Sequence, residues 1–550
     1  MNSWRNRLNM RAILMGTLAL FLLHLVLIQP NHPAAMAWNA VLLFPLELPA
    51  IVFGLIALGR SRAGLILRVL VILILSVIAV LKTADYVMFT SLSRGFNVVA
   101  DLPLVGSFYD LIVGTMGQFA AISAVLAALL IVVLLIVGLW WATGYWTRLA
   151  RPKSVASAST IAALICVAVS VADIGTRMGR WDTGFPYPGT AFTARVGVER
   201  VQTARATLRD LRAFQEAAQN DPFAGQTGLF DLVDRDVLVV FVESYGRTSL
   251  DTPLYADLHR ATLTAAQSQL EGLGLGMSST LLVSPTQGGQ SWLAHASFAN
   301  GLWVSGQTSY RAALRSERQT LFHLAQEAGF RTAAVMPQIT LDWPEAQFMG
   351  FDTVLAADDL GYAGLPFNWI TMPDQFTFGA MDRLLRTERP DGKPLFIQMA
   401  LGSSHAPWVP VPDLIAWDDL GDGSVFNPIV EASDPPHIVW QDNDRVRDQY
   451  RLAVDYALQT VFAYAALHAE DPPLMIIIGD HQAAGFIALD ERPHVPMHIV
   501  GPPDLVDRLS DAAFVPGLIP DATDAPRRMD LMRGHILRAL SSQMLAEVAE

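Results

Sequence analysis

Residues 236–247, DVLVVFVESYGR, decide the fold of the larger part of this chain. Six apolar residues, most of them β-branched, follow Asp236 without a polar interruption. A continuous apolar run of this length predicts a strand that is buried on both faces, as in a parallel sheet covered by helices. The run ends at Glu243, so a carboxylate follows directly after the predicted strand.

Similar short apolar runs recur towards the C-terminus and alternate with helix-favouring segments. The predicted strands after the first are residues 331–336, 395–400, 474–478 and 497–500. The predicted helices between them are residues 310–328, 375–385 and 445–468. This alternation predicts an α/β domain over residues 231–550, with a mostly parallel central sheet flanked by helices.

The N-terminal third has a different composition. It contains five apolar stretches, each near the ~20 residues that a helix needs to cross a bilayer: residues 12–28, 37–58, 65–88, 120–141 and 156–174. We therefore expect a transmembrane domain of five helices at 1–175. A polar, helix-favouring connector at 176–230 follows it.

Basic residues mark one side of these predicted spans. They form three groups: Arg5, Arg7 and Arg11; Arg60, Arg62 and Arg68; and Arg148, Arg151 and Lys153. The positive-inside rule makes these groups cytoplasmic, so everything after about residue 176 is expected outside a bacterial cytoplasmic membrane.

The balance of charges also limits the partners of the globular part. Residues 1–175 carry 11 Lys and Arg against 5 Asp and Glu, whereas the remainder carries 27 against 46. A part that is this acidic is unsuited to nonspecific binding of nucleic acid, which needs a basic face. Cys166 is the only cysteine, so a disulfide within the chain and a cysteine-based metal site are both excluded.

Reactive side chains follow three of the predicted strands. Glu243 follows the first, His405 lies in LGSSHAPW (401–408), and Asp480 and His481 follow residues 474–478. In open α/β sheets, ligands bind beyond the carboxyl ends of the strands. Each of these residues taken singly could be a helix cap or a loop hydrogen bond. Together, two carboxylates and an imidazole are suitable ligands for Zn²⁺ or Mn²⁺.

A glycine-containing turn leads into the segment TQGGQSWLAHASFA, residues 286–299. Ser291 opens a predicted helix there, where free N–H groups and the helix dipole favour a phosphoryl group. A serine next to a divalent metal can act as a nucleophile. The alternative is an ordinary serine cap after a glycine turn.

Six motifs in order resemble those of the alkaline phosphatase/sulfatase superfamily: VVFVESYGR, GGQSWLAHASF, NWITMPD, GSSHAPW, GDH and RPHVPMHIVGP. The resemblance covers essentially the whole chain. It is closest to the membrane-anchored branch, which contains lipoteichoic acid synthases, phosphoethanolamine transferases and phosphoglycerol transferases of periplasmic glucans.

The resemblance implies roles for individual residues. It implies a divalent metal, Zn²⁺ or Mn²⁺, with four ligands: Glu243, Ser291, Asp480 and His481. Ser291 is also the implied nucleophile, and His405 a second catalytic group. The implied substrate-binding residues are His405, His494, Trp369 and Asp374.

The implied function is transfer of a phospholipid head group, phosphoglycerol or phosphoethanolamine, to an extracytoplasmic glycan, lipid or glucan acceptor through a covalent Ser291 intermediate. Close relatives usually have Thr at this position, but Ser keeps the hydroxyl. The Cys-x-Pro-x-Arg motif of sulfatases is absent, which argues against sulfate-ester hydrolysis by formylglycine. Phosphoethanolamine transferases acting on lipid A commonly contain disulfides, so the single cysteine favours the phosphoglycerol or glucan type. Two alternatives remain open: a phosphodiesterase, phosphatase or sulfatase-like hydrolase at the same site, and an inactive membrane scaffold.

The distribution of basic residues makes the topology testable. We expect reporter fusions after Ile174 and after Glu550 to be active only in an extracytoplasmic compartment, because three basic groups mark the opposite side. A fusion after Arg148 is the cytoplasmic control. A cytoplasmic signal from either of the first two fusions would contradict the five-span arrangement.

Overall fold

The computed structural model describes residues 2–92, 94–102, 104–149, 152–387, 389, 392–522 and 525–543. Within these ranges, the side chains of residues 2–9, 38–39, 107, 110–111, 114–115 and 369 are not described. Arg151 and the side chains of Arg5, Arg7 and Trp369, all used in the sequence-based predictions, therefore lie outside the described residues. The chain divides into two compact units, one of Met1–Thr90 with Arg94–Arg209 and one of Ser91–Ser93 with Asp210–Glu550.

The first unit is helical. Its helices are α1 (Asn2–Ile28), α2 (Glu47–Leu58), α3 (Arg62–Leu92), α4 (Leu104–Met116), α5 (Gln118–Thr147), α6 (Lys153–Arg177) and α7 (Phe192–Gln219), the last of which extends into the second unit. By length and composition, four of the described helices can cross a membrane: Met10–Ile28 of α1, α3, α5 and α6. These four correspond to four of the five predicted spans. Helix α7 occupies much of the predicted connector.

The second predicted span, residues 37–58, is not a continuous helix. It consists of a 3-10 helix at Trp38–Leu42, an extended Leu43, and then α2 with 12 residues. Twelve residues rise only about 18 Å, against about 30 Å of hydrocarbon. Pro45 explains the interruption because it lacks a backbone N–H and disfavours a helical conformation at the preceding residue. The count of five full-length spans therefore becomes four long helices and one short apolar helix.

The second unit contains one sheet. Its strands are β1 (Val237–Val242), β2 (Gly276–Val283), β3 (Arg331–Met336), β4 (Thr353–Ala356), β5 (Leu395–Ala400), β6 (Leu474–Gly479), β7 (His494–Gly501), β8 (Val515–Pro516) and β9 (Arg527–Arg528). The order is β4-β3-β5-β1-β6-β7-β2-β8, with β9 also pairing with β2. The first five strands in this order are mutually parallel, whereas β7 is antiparallel to β6 and β2. The mostly parallel sheet and all five predicted strands are confirmed.

Helices cover both faces of this sheet. The α-helices described in this unit are α8 (Thr248–Asp251), α9 (Pro253–Gly272), α10 (Ser291–Asn300), α11 (Gln307–Leu314), α12 (Leu321–Glu327), α13 (Asp374–Met381), α14 (Asn427–Ala432), α15 (Pro436–Val439), α16 (Asn443–Leu467), α17 (Gly485–Ala488), α18 (Pro503–Leu509) and α19 (Met532–Ala539). Alternate residues of β1 face opposite sides. Leu238, Val240 and Val242 pack in the core of α9, α13 and α16, and the intervening residues pack in the core of α10, α12 and α19.

One predicted helix differs from the structure. Residues 310–328 form two helices, α11 and α12, because the polar segment between them ends in a new helix cap. The side chain of Thr320 accepts a hydrogen bond from the backbone N–H of His323, which satisfies a free donor of the first turn of α12.

The register of the central strands determines where the functional residues emerge. Val242 of β1 pairs with Gly479 of β6, and Phe241 pairs with Ala400 of β5. Because the three strands are parallel, the segments that follow them leave the sheet side by side at one edge.

Candidate metal centre

Glu243, Asp480 and His481 meet at this edge, and all three are buried. They follow directly after β1 and β6, as the sequence predicts. Nε2 of His481 lies 3.2 Å from Oε1 of Glu243 and 3.8 Å from Oδ2 of Asp480. The possible ligand atoms of the three residues lie within 4.8 Å of one another, which a single cation could bridge.

Ser291 completes the cluster from another part of the chain. Its Oγ donates to Oε2 of Glu243 at 2.9 Å and lies 3.2 Å from Nε2 of His481. Ser291 is the first residue of α10 and is half-buried, so its hydroxyl lies at a helix N-terminus, where N–H groups are available to an anion. The structure thus brings together all four predicted metal ligands.

The turn before Ser291 is held by hydrogen bonds to two backbone carbonyl oxygens. The N–H of Gly288 donates to the carbonyl oxygen of Gln482 at 2.8 Å, and Oγ1 of Thr286 donates to the carbonyl oxygen of Gly289 at 2.6 Å. Gln290, immediately before the helix, has a φ of 67°, a left-handed conformation that is costly for a residue with a Cβ. The same holds for Ser244, with a φ of 56°, next to Glu243. Such strain is concentrated at functional sites in folded proteins.

The two carboxylates have opposite pKa shifts. Burial disfavours ionisation of Glu243, but the nearby His481 and His405 outweigh it and hold the pKa of Glu243 well below its usual value. Burial and the charge of Glu243 raise the pKa of Asp480 well above its usual value. Burial opposes the charged form of His481, yet the adjacent carboxylates raise its pKa to about 9. The two pKa values move in opposite directions because two adjacent buried carboxylates repel each other when both are charged.

The donor set fits a divalent metal ion. Nδ1 of His481 lies 3.0 Å from the carbonyl oxygen of Gln482, which can only accept, so Nδ1 carries a hydrogen and Nε2 is the ring nitrogen that can give up its proton and bind a cation. Two carboxylates, one imidazole nitrogen and one hydroxyl are ligands that suit Zn²⁺ or Mn²⁺. Among the described residues, no other group of three His, Cys, Asp or Glu side chains is placed to bind a metal.

The loops that carry the ligands touch through their backbones. Oδ1 of Asp480 accepts hydrogen bonds from the N–H groups of Ser244 at 2.8 Å and His481 at 2.6 Å. A Cβ built on Gly479 would lie only 1.9 Å from the carbonyl oxygen of Tyr245, so the close approach of these loops requires glycine at that position.

The other predicted residues occupy different positions around the centre. His405 is half-buried and lies close enough to Glu243 to lower the pKa of that carboxyl group. Nδ1 of His405 lies 2.5 Å from the carbonyl oxygen of Ala406. His494 is the first residue of β7 and contacts Arg247.

Asp374 is fully buried, and its Oδ1 accepts hydrogen bonds from the N–H groups of Gly402 and Ser403. Asp374 therefore stabilises the loop that carries His405. The backbone of Trp369 forms part of a 3-10 turn, but its side chain is outside the described residues.

Several supporting residues were not singled out from the sequence. Oγ of Ser404 donates to the carbonyl oxygen of Glu243, and Oγ of Ser284 donates to that of Asp480, both at 2.6 Å. His295 lies one turn after Ser291, and its ring centroid is 4.0 Å from that of Phe241. Burial lowers the pKa of His295 to about 4, so it is uncharged near the centre. The spacing from Ser291 to His295, four residues on one helix face, is the signal that could have identified His295.

A family model described as Sulfatase matches residues 236–510, half of the chain. Similar solved structures include the lipoteichoic acid synthase LtaP from Listeria monocytogenes, with 12% identity over 58% of this chain and 73% of that chain and a TM-score of 0.35. The phosphoglycerol transferase GacH of Streptococcus pyogenes, in complex with sn-glycerol-1-phosphate, has 13% identity over 54% and 74%, with a TM-score of 0.33. The periplasmic domain of the phosphoethanolamine transferase EptC from Campylobacter jejuni has 10% identity over 57% and 89%, with a TM-score of 0.34. No curated protein matches the chain in sequence.

Metal binding should depend on the charge of Asp480. Asp480→Asn keeps an oxygen that can accept from Ser244 and His481 but removes one of two negative ligands. We expect it to lose stoichiometric Zn²⁺ or Mn²⁺, measured by elemental analysis. Saturating metal should stabilise the wild type, by about 4 kcal/mol at roughly 1,000-fold excess over Kd, but not the variant. The exposed Asp504→Ala is the control, and full metal content in Asp480→Asn would place the site elsewhere.

Burial of Asp374 should make stability depend on pH. Burial raises its pKa to about 6 from 3.8, and its Oδ2 has no hydrogen-bond partner among the described residues. Between these values the folded protein keeps a proton that the unfolded chain has released. The stability due to this proton is therefore complete below about pH 4 and lost as the pH rises through 6. Its size is on the order of 2 to 3 kcal/mol.

Asp374→Asn should remove this part of the pH dependence. Urea unfolding of the metal-saturated protein at pH 4.5, 5.5 and 7.5 would measure it. The exposed Asp413→Asn is the matched control. Equal slopes in the wild type and Asp374→Asn would contradict a raised pKa at this carboxyl.

Proposed function

The chain belongs to the sulfatase family, and we propose that it is a metal-dependent phosphotransferase that moves a phospholipid head group to an extracytoplasmic acceptor. The observation that carries this proposal is the place of the Ser291 hydroxyl. It lies within hydrogen-bond distance of Glu243 and His481, in the metal-ligand cluster, and at the N-terminus of α10. A hydroxyl in this environment suits attack on a phosphoryl group.

The residues around Ser291 support a two-step transfer. In the first step, Oγ of Ser291 loses its proton and forms a bond to phosphorus, the bond to the diacylglycerol oxygen breaks, and that oxygen takes up one proton as diacylglycerol leaves. Oε2 of Glu243 accepts a hydrogen bond from the Ser291 hydroxyl, which fixes the orientation of that hydroxyl in the cluster. In the second step, an acceptor hydroxyl or amine attacks the phosphorus and the bond to Oγ breaks.

A bound Zn²⁺ or Mn²⁺ would neutralise charge on the phosphoryl oxygens and favour the ionised hydroxyl. Its ligands would be Glu243, Ser291, Asp480 and His481. His405 has a different task. Its Nδ1 donates to the carbonyl oxygen of Ala406, so the lone pair is on Nε2. His405 can therefore accept the proton of the incoming acceptor hydroxyl at Nε2.

The long apolar helices of the same chain favour a membrane lipid as donor. Four described helices can span a bilayer, and the basic groups beside them favour an extracytoplasmic position for the catalytic unit in a bacterial cytoplasmic membrane. A glycan, lipid or glucan acceptor outside that membrane fits this position. Phosphoglycerol and phosphoethanolamine are the two head groups that we propose as the transferred group.

The nucleophile can be identified by a covalent adduct. Phosphatidylglycerol or phosphatidylethanolamine, labelled in the head group and supplied without acceptor, should leave the phosphoryl head group on Ser291 and release about one diacylglycerol per adduct. Peptide mass spectrometry locates the label. Ser291→Ala should abolish turnover but keep most metal binding, because Glu243, Asp480 and His481 remain. Ser291→Thr keeps the hydroxyl and should retain activity.

The same experiment separates the transferase from the hydrolase. Continuous release of the free phosphorylated head group without acceptor would favour a hydrolase that uses water in the second step. Diacylglycerol release by Ser291→Ala, without any adduct in the wild type, would contradict the covalent mechanism.

A further inference from the structure

Two exposed aromatic rings lie beside the loops of the centre. Trp440, directly after α15, is 42% exposed, and Phe486 of α17 is 36% exposed. Their ring centroids are 6.3 Å apart, and we call this pair the aromatic platform. Ile438 and Leu489, close to these two residues in the sequence, are exposed as well. Apolar surface that is gathered in one place, rather than scattered, marks a site of binding.

The ring of Trp440 is held in one orientation. It stacks on the ring of Trp408, with centroids 5.7 Å apart and planes 5° apart. Its Nε1 donates to the carbonyl oxygen of Pro407 at 3.3 Å. Trp408 itself is buried, so the exposed area of Trp440 lies away from Trp408. A ring that is already fixed loses little conformational entropy when a ligand packs on it.

The contacts that support Trp440 continue to a metal ligand. Trp408 lies in the segment that follows β5, and its Nε1 donates to the carbonyl oxygen of Ser404 at 2.7 Å. Oγ of Ser404 in turn donates to the carbonyl oxygen of Glu243 at 2.6 Å. The platform therefore belongs to the edge of the sheet at which the candidate metal centre lies.

Phe486 is fixed through its backbone. It lies in the segment that follows β6, five residues after His481. Its carbonyl oxygen accepts hydrogen bonds from Nε of Arg447 at 3.0 Å and from Nη2 at 2.9 Å. Nη1 of Arg447 donates to Oδ1 of Asp444 at 2.8 Å. The two rings are thus supported by the segments that follow β5 and β6, which are the two neighbours of β1.

The chain around Trp440 is acidic. Residues 431–451 contain five Asp and Glu against three Arg, and Asp442 and Asp444 are exposed. Such a surface repels the anionic head groups of a membrane, whereas carboxylates accept hydrogen bonds from hydroxyl groups. A sugar ring combines C–H faces, which pack on aromatic rings, with hydroxyl groups at its rim. A neutral sugar chain therefore fits this surface better than a lipid bilayer does.

We propose that the aromatic platform of Trp440 and Phe486 binds a neutral sugar chain, which is the acceptor of the transferred head group. The proposal rests on the proposed function, in which an acceptor attacks the phosphoryl group on Ser291. It names the class of that acceptor, a glycan rather than a lipid. Binding at the platform holds the sugar hydroxyl groups beside the centre, which favours the second step by proximity.

Binding can be measured without turnover. Full-length protein in phosphatidylcholine nanodiscs is titrated calorimetrically with maltopentaose, laminaripentaose and cellopentaose. We expect saturable binding of at least one of them, about tenfold weaker in Trp440→Ala. Trp440→Phe keeps a ring but loses the hydrogen bond to Pro407, and should retain most of the affinity. Exposed Leu273, just before β2 at the opposite edge of the sheet, provides the control Leu273→Ala.

Two results of this titration would overturn the proposal. One is that none of the three sugars binds, and the other is that Trp440→Ala binds them as well as the wild type does. Thermal melting identifies a variant that fails to fold. If Trp440→Ala is such a variant, Phe486→Ala takes its place, and the same weakening is expected.

The two half-reactions show which step the platform serves. Release of diacylglycerol without acceptor should be unchanged in Trp440→Ala, because the platform serves the acceptor only. Transfer from the Ser291 adduct to the bound sugar should have an acceptor KM raised about tenfold, with kcat retained. Equal losses in both half-reactions, or a sugar that binds but receives nothing from the adduct, would overturn the acceptor role. If no adduct forms at all, the proposed function fails, while the titration still decides whether the platform binds sugar.

Brominated lipids distinguish a sugar site from a membrane contact. The fluorescence of Trp440 is obtained as the difference between the wild type and Trp440→Phe. We expect brominated phosphatidylcholine in the nanodisc to leave this fluorescence unquenched, and the sugar that binds to change it. Strong quenching by the brominated lipid would show that the ring enters the bilayer interface, and would overturn the proposal.

Discussion

The position of the centre depends on one pairing of strands. β1 and β6 are parallel neighbours, and Val242 lies opposite Gly479. The next residues, Glu243 and Asp480, therefore leave the sheet side by side, and both side chains are buried. Two carboxylates in such a place repel each other strongly unless protons or a cation lie between them. The hydroxyl group of Ser291 and the imidazole group of His481 both contact the carboxylate of Glu243.

The sheet could be predicted where its strands are apolar throughout, and not where they are polar. β1 and β6 have continuous buried apolar runs, and β5 has a single polar residue, Gln398, because helices cover both faces. β2 was missed because Ser278, Ser279 and Thr280 interrupt its pattern. These residues are buried too, but each hydroxyl donates to a backbone carbonyl oxygen of residues 513–517. Only the fold supplies those partners, so sequence periodicity could not reveal this strand.

The ligands of the candidate centre could be predicted from the sequence, whereas the residues that hold them could not. Its ligands follow strands with a clear pattern, and their chemistry is recognisable from residue type and order. The residues that hold them act through backbone atoms distant in sequence, as Ser404 does on Glu243 and Ser284 on Asp480. No local pattern reports such contacts. Similarly, hydropathy alone counted residues 37–58 as one span, although Pro45 divides it into two shorter elements.

Gly479, the last residue of β6, constrains the spacing of the metal ligands. Because Gly479 lets the backbones of two ligand-bearing loops touch, the spacing between the ligand positions is a property of the main chain. Replacing a reactive side chain alters the chemistry but leaves that spacing in place. Substitution of a ligand thus changes the donor atoms of the centre, whereas any side chain at residue 479 would push the two ligand-bearing loops apart.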